Sequence, residues 1–217
     1  MNTTTQTRSI GLNRVLTNTY QLLSATLLFS GLMAYISMAL HLPHFGLLIT
    51  LVGYFGLLYL TNKLRNSAYG LLAVFALTGF MGLTLGPVIS AYTSTFSNGS
   101  ELVAMAMTGT GIIFLSLSFY AIASGKDFSF MQGFLTAGII VAFLAGIAAY
   151  FFTMPALSLA VSAAFILLMS GLILFETSNI IHGGETNYIM ATVTLFVSIY
   201  NLFLSLLQLL GVFSGED

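Results

Sequence analysis

The sequence predicts an all-α polytopic membrane protein with seven transmembrane helices. Of its 217 residues, 58% are hydrophobic and only 5% are charged. Soluble domains typically carry about 25% charged residues, so this chain could not cover its apolar surface in water. Apolar runs of roughly 20 residues, enough to cross the hydrocarbon core as a helix, recur along the whole sequence. The near-neutral net charge gives no indication of nucleic-acid binding.

Short polar breaks separate the apolar runs. The runs cover residues 20–40, 45–62, 69–92, 102–123, 129–152, 156–181 and 188–212. We therefore divide the chain into a flexible tail at 1–18, a transmembrane bundle at 19–213 and a short tail at 214–217. Breaks this short leave no room for a separate catalytic domain, and the tail lacks the apolar core of a cleavable signal peptide.

The basic residues indicate the orientation of the bundle. Arg8 and Arg14 precede the first run, Lys63 and Arg65 follow the second, and Lys126 follows the fourth. These breaks all lie on one side of the membrane, and an excess of Lys and Arg marks the cytoplasmic side. We therefore expect a bacterial inner-membrane protein with a cytoplasmic N terminus and a periplasmic C terminus.

Three runs carry small residues at every fourth position, which is the spacing of close helix packing in membranes. They are Gly82 and Gly86 in the third run, Gly138, Ala142 and Gly146 in the fifth, and Ala156, Ala160 and Ala164 in the sixth. Pro87 is expected to kink or end the third helix. Each stripe predicts a face that packs against another helix.

The last run is polar for a membrane helix. Ser198, Asn201, Ser205 and Gln208 follow one another at spacings of three and four, so they share one face. An amide facing lipid would leave its polar groups unsatisfied, and we expect this helix to be central within a shell of the other six. Its polar face is either a set of interhelical hydrogen bonds or the wall of a hydrophilic path.

Glu176 is a carboxylate inside the sixth apolar run, more than one turn from the next loop. A charged side chain at such a depth costs a few kcal/mol unless it is neutralised or paired, and it generally faces the protein interior. Two interpretations follow. Glu176 is either a structural hydrogen-bonding group between helices or a functional site for a proton or cation.

The segments Leu174–Ile189 and Leu195–Phe203 resemble the transmembrane Bax inhibitor motif family, in its bacterial YccA-like branch. Further similarity lies at Val15–Tyr20, Thr78–Gly82 with Gly86 and Pro87, and Lys126–Phe130. This resemblance implies seven helices with the last enclosed by six. It also implies a protein that binds and inhibits the ATP-dependent membrane protease FtsH, limits degradation of substrates such as SecY, and associates with the prohibitin-like complex that accompanies FtsH.

For such a partner, the candidate contacts are the basic tail with Arg8 and Arg14, and the loop between the last two runs with His182 and Glu185. An ATP-driven protease could grip a cytoplasmic tail. Loops on rigid scaffolds often carry recognition. Gly183 and Gly184 supply the backbone freedom for a tight turn in that loop.

Other members of the family are proton-sensitive calcium leaks, and this is the alternative function. Their pattern has one acid in the sixth helix, a second acid in the seventh and a basic residue near the end of the second. Glu176 matches the first acid and Lys63 or Arg65 the basic residue, whereas Ser198 stands at the second acid. Two neighbouring carboxylates repel one another when both are ionised, which raises the pKa of one of them. With Ser198 in place of the second acid, this repulsion is absent. Ca²⁺ also prefers six to eight oxygen ligands.

Enzymatic and metal-binding functions are disfavoured by the residues that would carry them. His41, His44 and His182 all lie at loops, and Glu176 has no second acid within the runs. His182 with Glu185 falls short of the three or four ligands that zinc requires. Cysteine is absent, which excludes disulfides and thiol chemistry. We expect no catalytic residues, no metal and no cofactor.

Overall fold

The computed structural model describes the backbone of residues 3–215 and the side chains of residues 14–215. Within this part of the chain it contains seven long α-helices, one short 3-10 helix and no β-strand. The α-helices are α1 (Thr3–Ala39), α2 (Gly46–Leu64), α3 (Tyr69–Thr95), α4 (Gly99–Ser124), α5 (Gln132–Phe151), α6 (Pro155–His182) and α7 (Tyr188–Ser214). The 3-10 helix Ser129–Met131 directly precedes α5.

Seven helices are long and apolar enough to cross a membrane, as the sequence predicts. The spans coincide with the predicted runs to within a few residues, except at the first. There the span begins at Arg14 instead of residue 20. Their number and length establish the predicted fold class, a polytopic helical membrane protein.

Two expectations about helix ends differ from the structure. The helix α1 extends back to Thr3, whereas residues 1–18 were predicted as a flexible tail; the mobility of that segment stays a prediction. Pro87 does not end α3, which continues for two more turns to Thr95. A proline inside a membrane helix is tolerated where neighbouring groups satisfy the freed backbone carbonyl, and Pro87 is buried.

Backbone geometry at two glycines explains where helices stop. Gly125 follows α4 with φ +59° and Gly183 follows α6 with φ +79°, both in the left-handed region. The Gly183 N–H bonds to the carbonyl of Ile180 and the Gly184 N–H to that of Asn179. This pattern closes a helix on its own last carbonyls. The predicted role of Gly183 in a tight turn is therefore confirmed.

The chain divides into two compact units. The first contains residues 1–95 and 185–196, and the second contains residues 96–184 and 197–217. Each unit takes a part of α7, since the division falls between Phe196 and Val197 within that helix. The expectation that α7 is enclosed by the other six helices stays a prediction.

In the first unit, α1 packs against α3 at glycines of α3. A Cβ at Gly82 would overlap the carbonyl oxygen of Ser30, and a Cβ at Gly86 would lie 2.5 Å from the Ser37 side chain and 2.8 Å from the Ala34 carbonyl oxygen. The Ser37 hydroxyl donates to the carbonyl of Leu83, 2.8 Å away. The predicted packing face at Gly82 and Gly86 is therefore confirmed.

In the second unit, α4 and α5 pack against α6 around an apolar cluster. Its buried members come from α5, α6 and α7: Leu135, Ala142, Leu168, Met169, Ile173 and Leu202. Gly138 of the predicted α5 stripe faces the methyl groups of Leu168. The predicted α6 packing face is wrong at Ala156 and Ala160, which are exposed, whereas Ala164 is half-buried. Ser158 and Ser162, two positions further along, instead face α7.

Candidate functional site

Three consecutive polar residues of α6 are buried two turns or less from its C-terminal end. Glu176 is 5% exposed, Thr177 is fully buried and Ser178 is 1% exposed. Polar side chains enter an apolar helix at a cost, and they are buried where the protein offers partners. The C-terminal third of α6 therefore carries three adjacent buried polar side chains of the second unit.

Ser178 fixes the loop between α4 and α5, Gly125–Phe128, to α6. Its hydroxyl donates to the carbonyl of Lys126 at 3.0 Å and accepts from the N–H of Phe128 at 3.1 Å. His182, one turn later, places Nδ1 2.8 Å from the carbonyl oxygen of Ser178 and Nε2 3.2 Å from that of Gly125. Both side chains therefore contact the same loop from the same end of the helix.

Asp127 stabilises the turn that leads out of this loop. Its carboxylate accepts a hydrogen bond from the backbone N–H of Ser129 at 2.8 Å. That bond holds the pKa of Asp127 below its ordinary value, with the Ser129 hydroxyl and then the nearby His182 acting in the same direction. The carboxylate is therefore ionised at neutral pH, with His182 in its vicinity.

The polar face predicted for α7 has different surroundings along its length. Ser198 is fully buried and Ser205 is buried. The Asn201 amide donates to the Val197 carbonyl of its own helix at 2.9 Å. Asn201 is half-buried, so its amide is neither in the core nor directed at solvent.

Gln208 joins α7 to α6 through two short hydrogen bonds. Its Oε1 accepts from the Ser162 hydroxyl at 2.6 Å, and its Nε2 donates to the Ser158 hydroxyl at 2.6 Å. The two serines are four residues apart on α6, which places them on one face next to the amide. Gln208 thus forms interhelical hydrogen bonds within the second unit.

The remaining predicted site residues lie at the surface of the first unit. Lys63 and Arg65 are exposed, and the Arg65 guanidinium donates to Asn62 at 3.2 Å. Glu176 belongs to the second unit, so its pairing with either cation stays a proposal. Arg14 is exposed, while the side chain of Arg8 lies outside the described residues. Glu185 accepts from the backbone N–H of Asn187.

Asn187 is a structural residue that the sequence reading missed. Its Oδ1 accepts from the N–H groups of Ile189 and Met190 at the start of α7, each at 3.1 Å. Its Nδ2 donates to the Arg65 carbonyl at 3.1 Å and to the Asn66 side chain at 2.9 Å. The available signal was an Asn directly before an apolar run, which is typical of a helix N-cap.

Ser158, Ser162 and Ser178 were also missed, because single serines are common in membrane helices and carry no signal alone. An amide within a membrane helix, as at Gln208, requires polar partners, and a pair of serines four residues apart on another helix could have been proposed as those partners. Within residues 14–215, no group of three or more His, Asp or Glu side chains is placed to hold a metal ion.

Comparison with known proteins gives the family. The family model described as "Inhibitor of apoptosis-promoting Bax1" matches residues 12–215. The chain belongs to this Bax inhibitor family. Among its similar relatives, an uncharacterized protein of Pseudomonas aeruginosa is 52% identical over 203 residues, 94% of this chain and 91% of the relative. The modulator of FtsH protease YccA of Escherichia coli K12 is 51% identical over 212 residues, 98% of this chain and 95% of the relative.

A third relative of this Bax inhibitor family member is an uncharacterized membrane protein of Vibrio cholerae, 42% identical over 211 residues, 97% of this chain and 94% of that protein. The resemblance to the YccA-like branch is therefore confirmed along nearly the whole chain. The names given to the family and to these relatives describe an inhibitor, a modulator and a membrane protein. Together with the seven spans, the similarity to these membrane proteins identifies a multi-pass membrane protein.

Proposed function

We propose that this protein is an inner-membrane modulator of the ATP-dependent protease FtsH, and that it limits the degradation of membrane substrates such as SecY. The observation that carries the proposal is 51% identity to the named FtsH modulator across 98% of this chain. The prohibitin-like complex that accompanies FtsH is the second proposed partner.

The regulation acts through binding. The segments between helices are only a few residues long within the described chain, so the partner-contacting surfaces are helix faces and short loops. The proposed contacts are the basic segment with Arg8 and Arg14 and the loop with His182 and Glu185. The excess of basic residues supports a cytoplasmic position for both, on the side where the ATPase part of such a protease acts.

Occupation of the protease explains inhibition physically. A protease that pulls on the N-terminal segment must separate α1 from α3, and these helices approach closely at Gly82 and Gly86. Close packing of this kind is lost all at once when the helices separate, since the short-range attraction falls off within an ångström. Slow extraction would keep the protease engaged and delay its next substrate.

The test uses cells in which the half-life of unassembled SecY is measured with and without the overproduced protein. Full-length protein is expected to lengthen that half-life. Deleting residues 2–13 leaves the span Arg14–Ala39 in place and is expected to abolish the effect. A matched control replaces residues 2–13 by an unrelated polar segment of equal length, which separates the need for a segment to grip from the need for Arg8.

Two outcomes would count against these ideas separately. An unchanged SecY half-life with the full-length protein, present at normal level in the membrane, would reject modulation of FtsH. A deletion variant that still lengthens the half-life would reject the N-terminal segment as the gripped element while leaving modulation intact. Co-purification of FtsH with the full-length protein measures the binding itself.

A second candidate function is a proton-sensitive cation leak at Glu176. The specific observation in its favour is that this carboxyl group is 5% exposed within a membrane span. Ser198 offers only a hydroxyl at the position of the second acid, so any response to protons would centre on Glu176, with Lys63 or Arg65 as the closing partner. Protons or calcium would be the ions carried.

Proteoliposomes decide between the two functions. If the leak exists, purified protein conducts Ca²⁺ or protons in a pH-dependent manner, and Glu176→Gln changes the flux. Glu101→Gln, an exposed acid in the first turn of α4, serves as the matched control and should leave the flux unaltered. Absence of pH-dependent flux, or equal flux in Glu176→Gln, rejects the leak.

A further inference from the structure

Both ring nitrogens of His182 face carbonyl oxygens. Nδ1 lies 2.8 Å from the Ser178 carbonyl oxygen of α6, and Nε2 lies 3.2 Å from the Gly125 carbonyl oxygen of the α4–α5 loop. A carbonyl oxygen only accepts, and a neutral imidazole has a single N–H. In the neutral form, the ring nitrogen without a proton would direct its lone pair at the lone pairs of a carbonyl oxygen. Only the doubly protonated imidazolium donates in both.

The Ser178 hydroxyl does not resolve this conflict. It lies 3.3 Å from Nδ1, but its proton is directed to the Lys126 carbonyl at 3.0 Å, while its oxygen accepts from Phe128. If the hydroxyl turned to donate to a neutral Nδ1, the Lys126 carbonyl would lose its donor. With the imidazolium, all of these groups have compatible partners at once.

Several charged or titratable groups lie around this end of α6. Asp127, on the loop itself, interacts with His182, and its pKa is lowered by Ser129 and by His182. The Lys126 ammonium is directed to Tyr120, 3.4 Å from the phenol oxygen. His182 also occupies the last turn of α6, where the helix dipole favours positive charge.

Other titratable groups on the packed elements are further away along the chain. Glu176 lies six residues earlier in α6, and the carboxylate of Glu185 accepts from the backbone of Asn187. On α4, Glu101 is in the first turn, at the opposite end from Gly125. The 3-10 helix has no titratable side chain, and Tyr150, the only one of α5, lies near its C-terminal end.

We infer that His182 is a proton-operated latch, which holds the α4–α5 loop against the end of α6 when the imidazole is charged and releases it when the imidazole is neutral. The contribution to the closed loop is present in acid, when both ring nitrogens carry a proton, and it is lost as the pH rises and one of these protons leaves. The latch rests on this geometry alone and does not depend on the proposed partner.

The test measures hydrogen exchange of the Phe128 amide in the full-length protein in lipid nanodiscs. Its protection, corrected for the intrinsic pH dependence of exchange, is expected to be about fivefold to tenfold higher near pH 5.5 than near pH 8, the range that one charge-assisted hydrogen bond supplies. His182→Gln, which keeps a donor but does not titrate, is expected to remove this pH dependence. His44→Gln, an exposed histidine between α1 and α2, is the matched control and should preserve it.

A second measurement needs no substitution at His182. The chain contains three histidines, so a His41→Gln, His44→Gln double variant leaves His182 as the only imidazole signal in a ¹⁵N spectrum. Protonation of both ring nitrogens should appear together with protection of Phe128 as the pH is lowered. Equal protection of Phe128 before and after His182 loses its proton, or unchanged pH dependence in His182→Gln, overturns the latch.

Discussion

The two units use the same sequence signal, small residues four apart, for two different kinds of helix contact. In the first unit, Gly82 and Gly86 of α3 approach the backbone of α1: a Cβ at Gly82 would overlap the Ser30 carbonyl oxygen, and a Cβ at Gly86 would lie 2.8 Å from that of Ala34. In the second unit, the glycines face the ends of branched side chains, as Gly138 faces Leu168 and Gly171 faces Leu135. Backbone cannot yield, whereas a methyl group can rotate away.

The hydrogen bonds between helices also differ between the two units. Beside the close contact of the first unit, the Ser37 hydroxyl bonds directly to the α3 backbone at Leu83. In the second unit, Gln208 spans the distance between α7 and α6 with a long amide that reaches two serines. A small-residue stripe thus indicates a packing face, while the atoms that it meets on the neighbouring helix decide how strictly the small residues are required.

The largest expected effect breaks the glycine contact of the first unit. Gly82→Ala places a methyl group against the Ser30 carbonyl, and overpacking against backbone should lower the free energy of unfolding by about 2–3 kcal/mol. Gly56→Ala is the matched control, since nothing lies within 4 Å of a Cβ there. SDS-induced unfolding in mixed micelles measures both, and equal stability of the two variants would contradict the contact.

The next effect concerns Asn187, which caps α7 and bonds to the α2–α3 loop within the first unit. Asn187→Ala removes both functions and should cost about 1–2 kcal/mol of stability, chiefly through the cap. Asn187→Asp keeps a cap acceptor but loses the donor to Arg65 and Asn66. If the aspartate variant unfolded as easily as the alanine variant, the link to the loop would outweigh the cap.

A smaller effect is expected for the polar contact of the second unit. Gln208→Leu removes two interhelical hydrogen bonds and should cost about 1 kcal/mol, since bonds of this type average about 0.6 kcal/mol each in membranes. A double-mutant cycle with Ser162→Ala isolates the coupling in the same unfolding assay. Fully additive effects would show that the amide and the serine do not stabilise one another.

The smallest effect is expected at Gly138 of the second unit. Gly138→Ala adds the same methyl group as Gly82→Ala, but it meets the Leu168 side chain, which can change rotamer. We expect a loss of about 0.5–1 kcal/mol, offset in part by the better helix propensity of alanine. A loss as large as that of Gly82→Ala would mean that side-chain ends in the second unit are held as rigidly as backbone.

Hydropathy predicted the number and position of the spans, because a helix that crosses a membrane needs a long apolar run, and the length of such a run can be counted in the sequence. Faces are harder to predict. On α6, Ala156 and Ala160 repeat every four residues, and so do Ser158 and Ser162, two positions away and about 200° around the helix. Both patterns could mark a packing face. The structure uses the serines, since they satisfy the amide of Gln208.

In the candidate site, too, some features could be predicted from the sequence and others could not. Burial of Glu176 and Ser198 agrees with what apolar surroundings indicate for polar residues on these helices. The loop contacts of Ser178 and His182 join residues about 50 positions apart, and nothing in the sequence pattern brings them together. Asn187 shows the opposite case, since its capping role is local and was available from the sequence.

The shared use of α7 has a consequence for how the chain is made. The first unit needs residues 185–196, and the Thr192 hydroxyl donates to the Thr19 carbonyl within it at 3.2 Å. A ribosome inserts α1, α2 and α3 long before it translates that segment. The earliest helices must therefore wait in the bilayer, incomplete, until the last one arrives, so a truncated nascent chain lacks a finished first unit however many spans it already has.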